Sequence, residues 1–80
     1  MTTETANKLV ETIATLFDIA GCPPNELLNK WKEKPNAETL YKVIEDEEYT
    51  IISRFAGHEV RYLFHAAYRI ADTIAIAETY

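Results

Sequence analysis

Residues 45–65 read EDEEYTIISRFAGHEVRYLFH, and the way this stretch folds decides the class of the whole chain. Tyr49-Thr50-Ile51-Ile52 favours a strand by propensity, Gly57 can supply a turn, and Val60, Tyr62 and Phe64 alternate. Those features allow a hairpin around residues 49–64 within an α+β domain. The alternative is a pair of helices meeting at Gly57, since Leu40, Val43, Ile44, Ile51 and Phe55 keep helical spacing on either side of the acids. Downstream, Val60, Leu63, Phe64, Ala67, Ile70, Ala71, Ile74 and Ala75 make one continuous apolar face. A strand starting at residue 60 would discard the first turns of that pattern. A helix over 58–78, about 30 Å long, is therefore expected.

Outward from there the helical signals are plainer. Ala6, Leu9, Val10, Ile13, Leu16, Phe17 and Ala20 mark an amphipathic helix over 3–20, with Thr2 or Thr3 as its N-cap and Gly21 in the left-handed position that ends it. Cys22-Pro23-Pro24 cannot continue a helix, because proline lacks an N–H and restricts the residue before it. Pro24 fits the first turn of a second helix carrying Glu26, Leu27, Leu28 and Trp31, which Lys34-Pro35 ends. Asn36 offers the cap of a third. The expected architecture is all-α, a small four-helix bundle-like domain occupying residues 1–80. Whether the third helix continues or breaks at Glu45, Asp46, Glu47 and Glu48 decides whether those carboxylates form one surface or splay around the axis.

Composition narrows the function. The chain has 80 residues, 48% of them hydrophobic, which is enough for one small core and too apolar for intrinsic disorder. Its single cysteine, Cys22, cannot form an internal disulfide, and a reducing cytoplasm is the default compartment. The N-terminus lacks the basic and apolar blocks of a signal peptide, and no apolar run is long enough to span a membrane. The formal charge is −5 and is uneven: residues 1–44 hold five basic and six acidic side chains, whereas 45–80 hold three and seven. Affinity for a phosphate backbone comes from Lys and Arg, so this balance disfavours direct nucleic-acid binding.

Chemistry is not expected either. His58, His65 and Asp72 are spaced by seven, which separates the two imidazoles by about 10 Å along a helix, too far to share one metal. Glu47-Glu48, with Arg69-Ile70-Ala71-Asp72 on the next segment, resembles in outline the Glu-Glu-x-x-Glu and Glu-x-x-Asp pair of MazG-type nucleotide pyrophosphatases. Ile51 and Arg69 stand where two of the acids belong. No Ser–His–Asp spacing, phosphate loop or Cys–His pair is present, so no catalytic, cofactor or metal residue is assigned.

What remains is surface. The outer face of the last helix carries His58, Arg61, Tyr62, His65, Arg69, Asp72 and Ile76, and Tyr and Arg are the residue types that dominate binding hot spots. The expected partner-binding residues are Tyr62, His65, Arg69 and Ile76, joined by Glu45, Asp46, Glu47 and Glu48. The expected partner is another protein, a second copy in a homodimer included. Small acidic one-domain chains of this kind resemble accessory proteins of phages and mobile elements, which implies a non-enzymatic adaptor or inhibitor of a host or partner protein. Two alternatives stand beside it. In the first the acids mimic DNA at a basic cleft. In the second the chain is a helix-turn-helix DNA binder using Lys30, Lys32 and Lys34, with Trp31 as a stacking ring.

Overall fold

The structure, a computed structural model, describes residues 1–19, 21, 24, 26–52 and 58–79, with the side chains of 50–52 and 58–60 excluded. Among these residues four helices follow in order: α1 (Thr3–Ile19), α2 (Leu27–Glu33), α3 (Ala37–Ile52) and α4 (His58–Thr79). The expected all-α class holds, and the hairpin alternative does not. Residues 49–52 belong to α3 and 58–64 to α4. The reason lies in side-chain placement: a strand would put Tyr62 and Phe64 on the same face, yet Phe64 is 4% exposed and Tyr62 75%. Gly57 and Phe55 lie outside the described residues, as does Cys22.

Each boundary has a local cause. Thr2 Oγ1 accepts the Thr5 N–H at 3.1 Å and so caps α1. Gly21, with φ of +80°, occupies the left-handed region beyond that helix and its N–H reaches the Asp18 carbonyl at 3.0 Å. Helix α2 starts at Leu27, with Glu26 in the cap position at φ −121° and ψ −8°. Pro24 therefore precedes the helix instead of sitting in its first turn, a correction to the expected placement. Asn36 Oδ1 accepts the Thr39 N–H at 2.9 Å and the Thr39 hydroxyl at 3.0 Å, capping α3 as its position implied. The Ala37 N–H, another donor without an intrahelical partner, goes to Glu78 Oε1 at 2.7 Å. A carboxylate from the last turn of α4 thus closes the first turn of α3.

The helices run alternately up and down, since early α1 meets late α2 and early α3 meets late α4. Helix α4 packs on both α1 and α3, and α2 lies against α1 and α3. One core joins all four: Val10, Ile13 and Phe17 from α1, Leu27 and Trp31 from α2, Leu40 and Ile44 from α3, and Phe64, Ala67, Ala71 and Ile74 from α4. The edge of one phenylalanine meets the other at Phe17–Phe64, with centroids 5.4 Å apart and planes at 65°. Ala67 and Ala71, both fully buried, let the α4 backbone approach its neighbours closely. Each large apolar side chain buried this way contributes about 1.5–3 kcal/mol. Leu28, the neighbour of Leu27 in the sequence, is 38% exposed. It sits about 100° round the helix from Leu27, and only the i, i+4 pair of Leu27 and Trp31 points inward.

Candidate protein-interaction surface

Burying Leu63, Phe64, Ala67, Ala71 and Ile74 fixes the rotation of α4. At about 100° per residue, Tyr62, His65, Arg69, Thr73 and Ile76 then fall on the diametrically opposite line. All five are exposed, Tyr62 at 75% and Ile76 at 59%. The four α4 residues expected to bind a partner thus share one stripe about 21 Å long. The side chain of His58 lies outside the described residues. Asp72, expected on the same outer face, is turned toward α3, where its Oδ1 accepts the hydroxyl of Tyr41. It lies about 80° from Tyr62 round the helix, far enough to reach the neighbouring helix.

The acidic run sits on an unbroken α3 and is divided by it. Glu45 and Asp46 are exposed, while Glu47 and Glu48 are half-buried. Glu48 Oε2 accepts the Tyr68 hydroxyl at 2.6 Å, and the Tyr41 and Tyr68 rings stack at 6.4 Å with 21° between planes. Two reciprocal tyrosine–carboxylate bonds therefore tie α3 to α4 along one edge. Burial, then the Glu48 hydrogen bond, pushes the Tyr68 phenol well above its ordinary value. Tyr41 is raised mainly by its bond to Asp72, with burial and the charge of Asp72 adding to it.

Glu47 faces the other way. Burial first, then the charges of Glu26 at the start of α2 and of Asp46, raise its carboxyl above the usual range. A carboxyl raised on folding is destabilising when ionised, so stability is lost as pH rises from the ordinary carboxylate value through the folded one. Glu47→Gln is therefore expected to raise the urea midpoint at pH 7, with the gain over wild type shrinking as both are acidified toward the ordinary carboxylate pKa. A variant less stable than wild type at pH 7 would contradict this assignment.

Other residues singled out by type fall elsewhere. Trp31 is 5% exposed, and its indole N–H donates to Asn7 Oδ1 at 2.7 Å, so the ring belongs to the core and is not a free stacking platform. Lys30, Lys32 and Lys34 are exposed, and Lys30 pairs with Glu26 at 3.3 Å. Tyr49 is 85% exposed beside the acids. At the opposite end of the bundle an open depression of about 190 Å³ lies between Thr2, Ala6, Trp31, Pro35, Ile74 and Glu78, where Glu78 already caps α3. No three His, Cys, Asp or Glu side chains among the described residues gather in a way that could hold a metal ion. No helix among them is long and apolar enough to cross a membrane.

The tyrosine–carboxylate edge escapes a reading of the sequence by residue type. Tyr41 belongs to no motif, and Tyr68 reads only as an amphipathic ring. A partial signal exists in the spacing of Tyr41, Glu45 and Glu48 on one side of α3 and of Tyr68 and Asp72 on one side of α4. Their pairing needs the register of the two helices, which no single segment contains. Comparison with protein-family models, with curated proteins and with solved structures returned no match for this chain.

Proposed function

We propose that this protein is a non-enzymatic protein-binding module, an adaptor or inhibitor, that engages another protein through the outer stripe of α4. The observation that carries this reading is the alignment of Tyr62, Arg69 and Ile76, all exposed, on the side of α4 that none of the described residues covers. An exposed tyrosine and isoleucine bracketing an arginine supply the apolar anchors and the oriented donor fork typical of interface centres. Glu45 and Asp46, exposed on α3, add a polar rim at one side of the molecule. The mimic alternative draws less support, because a continuous helix spreads its four acids around more than a turn and Glu48 is held by Tyr68.

The test is affinity capture with the wild-type chain against Tyr62→Ala and Arg69→Glu. Both variants are expected to lose a captured protein, with the far-UV helical signal unchanged, because both side chains are exposed and outside the core. Retention of every partner by both variants would rule out this face.

A further inference from the structure

On the reading that the α4 stripe binds protein, on which this inference rests, its charge pattern discriminates among occupants. Tyr62, Arg69 and Ile76 are spaced by seven, so Arg69 stands midway between the two apolar anchors. Among the described residues, neither Arg61 nor Arg69 forms an ion pair with a carboxylate. The stripe itself holds no acid. Asp72, about 60° round the helix from Arg69, is turned toward α3 and accepts the Tyr41 hydroxyl, so it is not a hydrogen-bond partner of the guanidinium. In a chain of net charge −5, the uncovered line of the last helix thus carries an arginine and no carboxylate.

Self-pairing is penalised by that arrangement. A two-fold contact that overlays the whole stripe on itself is either antiparallel about residue 69 or parallel and in register. In the first, Tyr62 meets Ile76 of the second copy; in the second, Tyr62 meets Tyr62. Both place Arg69 against Arg69 at the centre of the contact, where like charges are desolvated together. A helix with apolar residues at the two anchor positions and a carboxylate between them relieves the same site: its side chains cover Tyr62 and Ile76, and its acid takes the guanidinium as a bidentate partner.

We infer that the α4 stripe is built to receive an acidic amphipathic helix of another protein, with Arg69 selecting a central carboxylate and excluding a second copy of this chain. The probe is a helical peptide bearing two leucines spaced as Tyr62 and Ile76 are, with glutamate midway, alongside a twin carrying lysine there. The glutamate peptide is expected to bind wild type at least about tenfold tighter than its twin, and Arg69→Glu to invert that order. The wild-type chain is expected to sediment as a monomer. Equal binding of the two peptides, both weakened by Tyr62→Ala, would overturn the charge selection while leaving the stripe a protein-binding surface. A wild-type dimer that Tyr62→Ala dissolves would make the second copy the occupant and overturn the inference. If neither peptide binds, or binding ignores Tyr62→Ala, the inference fails, and the capture experiment with Tyr62→Ala and Arg69→Glu decides the protein-binding reading of α4 separately.

Discussion

Trp31→Ala is expected to remove a large part of the stability of the domain and to lower its urea midpoint sharply. The indole fills the space between α1 and α2, at 5% exposure, and removing it deletes the largest side chain of the core. Tryptophan-to-alanine changes in cores cost about 3–5 kcal/mol, from lost transfer energy and the cavity left behind. A domain this small has roughly 4–12 kcal/mol in total at about 0.05–0.15 kcal/mol per residue, so one substitution consumes much of it. Trp31→Phe keeps most of the apolar volume and loses the N–H bond to Asn7. Asn7 is exposed and its carbonyl oxygen can rehydrate, so the change is expected to cost far less. Urea titrations followed by far-UV circular dichroism read both, since the variants lack the one tryptophan that fluorescence would use. A Trp31→Ala midpoint close to wild type would mean that the ring is not part of the core.

Glu45→Pro carries the second large effect, and it bears on the acidic run itself. Glu45 is an exposed residue in the interior of α3, so its side chain adds little and the backbone dominates. Proline there removes the bond from residue 45 to the Tyr41 carbonyl and drives its ring into that carbonyl, costing about 3 kcal/mol or more. The tie between Glu48 and Tyr68 lies beyond the kink and would be strained with it. Glu45→Ala is the control, expected within about 0.5 kcal/mol of wild type because alanine favours helix and one of four neighbouring like charges is relieved. Thermal or urea unfolding separates the pair. Equal stability of the two variants would place a chain break at the acids and return them to a single surface.

Much of the helical framework was legible because its causes are local. Thr2, Gly21 and Asn36 each act on backbone groups within a turn of themselves, so their roles can be read from neighbouring letters. The rotation of α4 was legible for a similar reason. Its apolar residues recur every three or four positions over most of its length, and the outer stripe is what that recurrence leaves uncovered. Residues 49–52 were not decidable in this way. Tyr49, Thr50, Ile51 and Ile52 prefer strand, and local preference loses to the continuation of a helix whose earlier face, with Leu40, Val43 and Ile44, is already buried.

The sequence alone determined the helical segments, the boundaries at Thr2, Gly21 and Asn36, most of the core-facing positions and the uncovered line of the last helix, because backbone hydrogen bonds and apolar periodicity act over a few residues. Only the tertiary structure decided that α3 runs through its acids and that Glu48 and Asp72 serve two tyrosines. It also decided that Trp31 is closed in by Asn7 and that Glu78 caps α3 from the far end of the chain. Each of those side-chain contacts joins residues at least twenty positions apart. They exist only once antiparallel packing has set the register between helices, and that register belongs to the core as a whole.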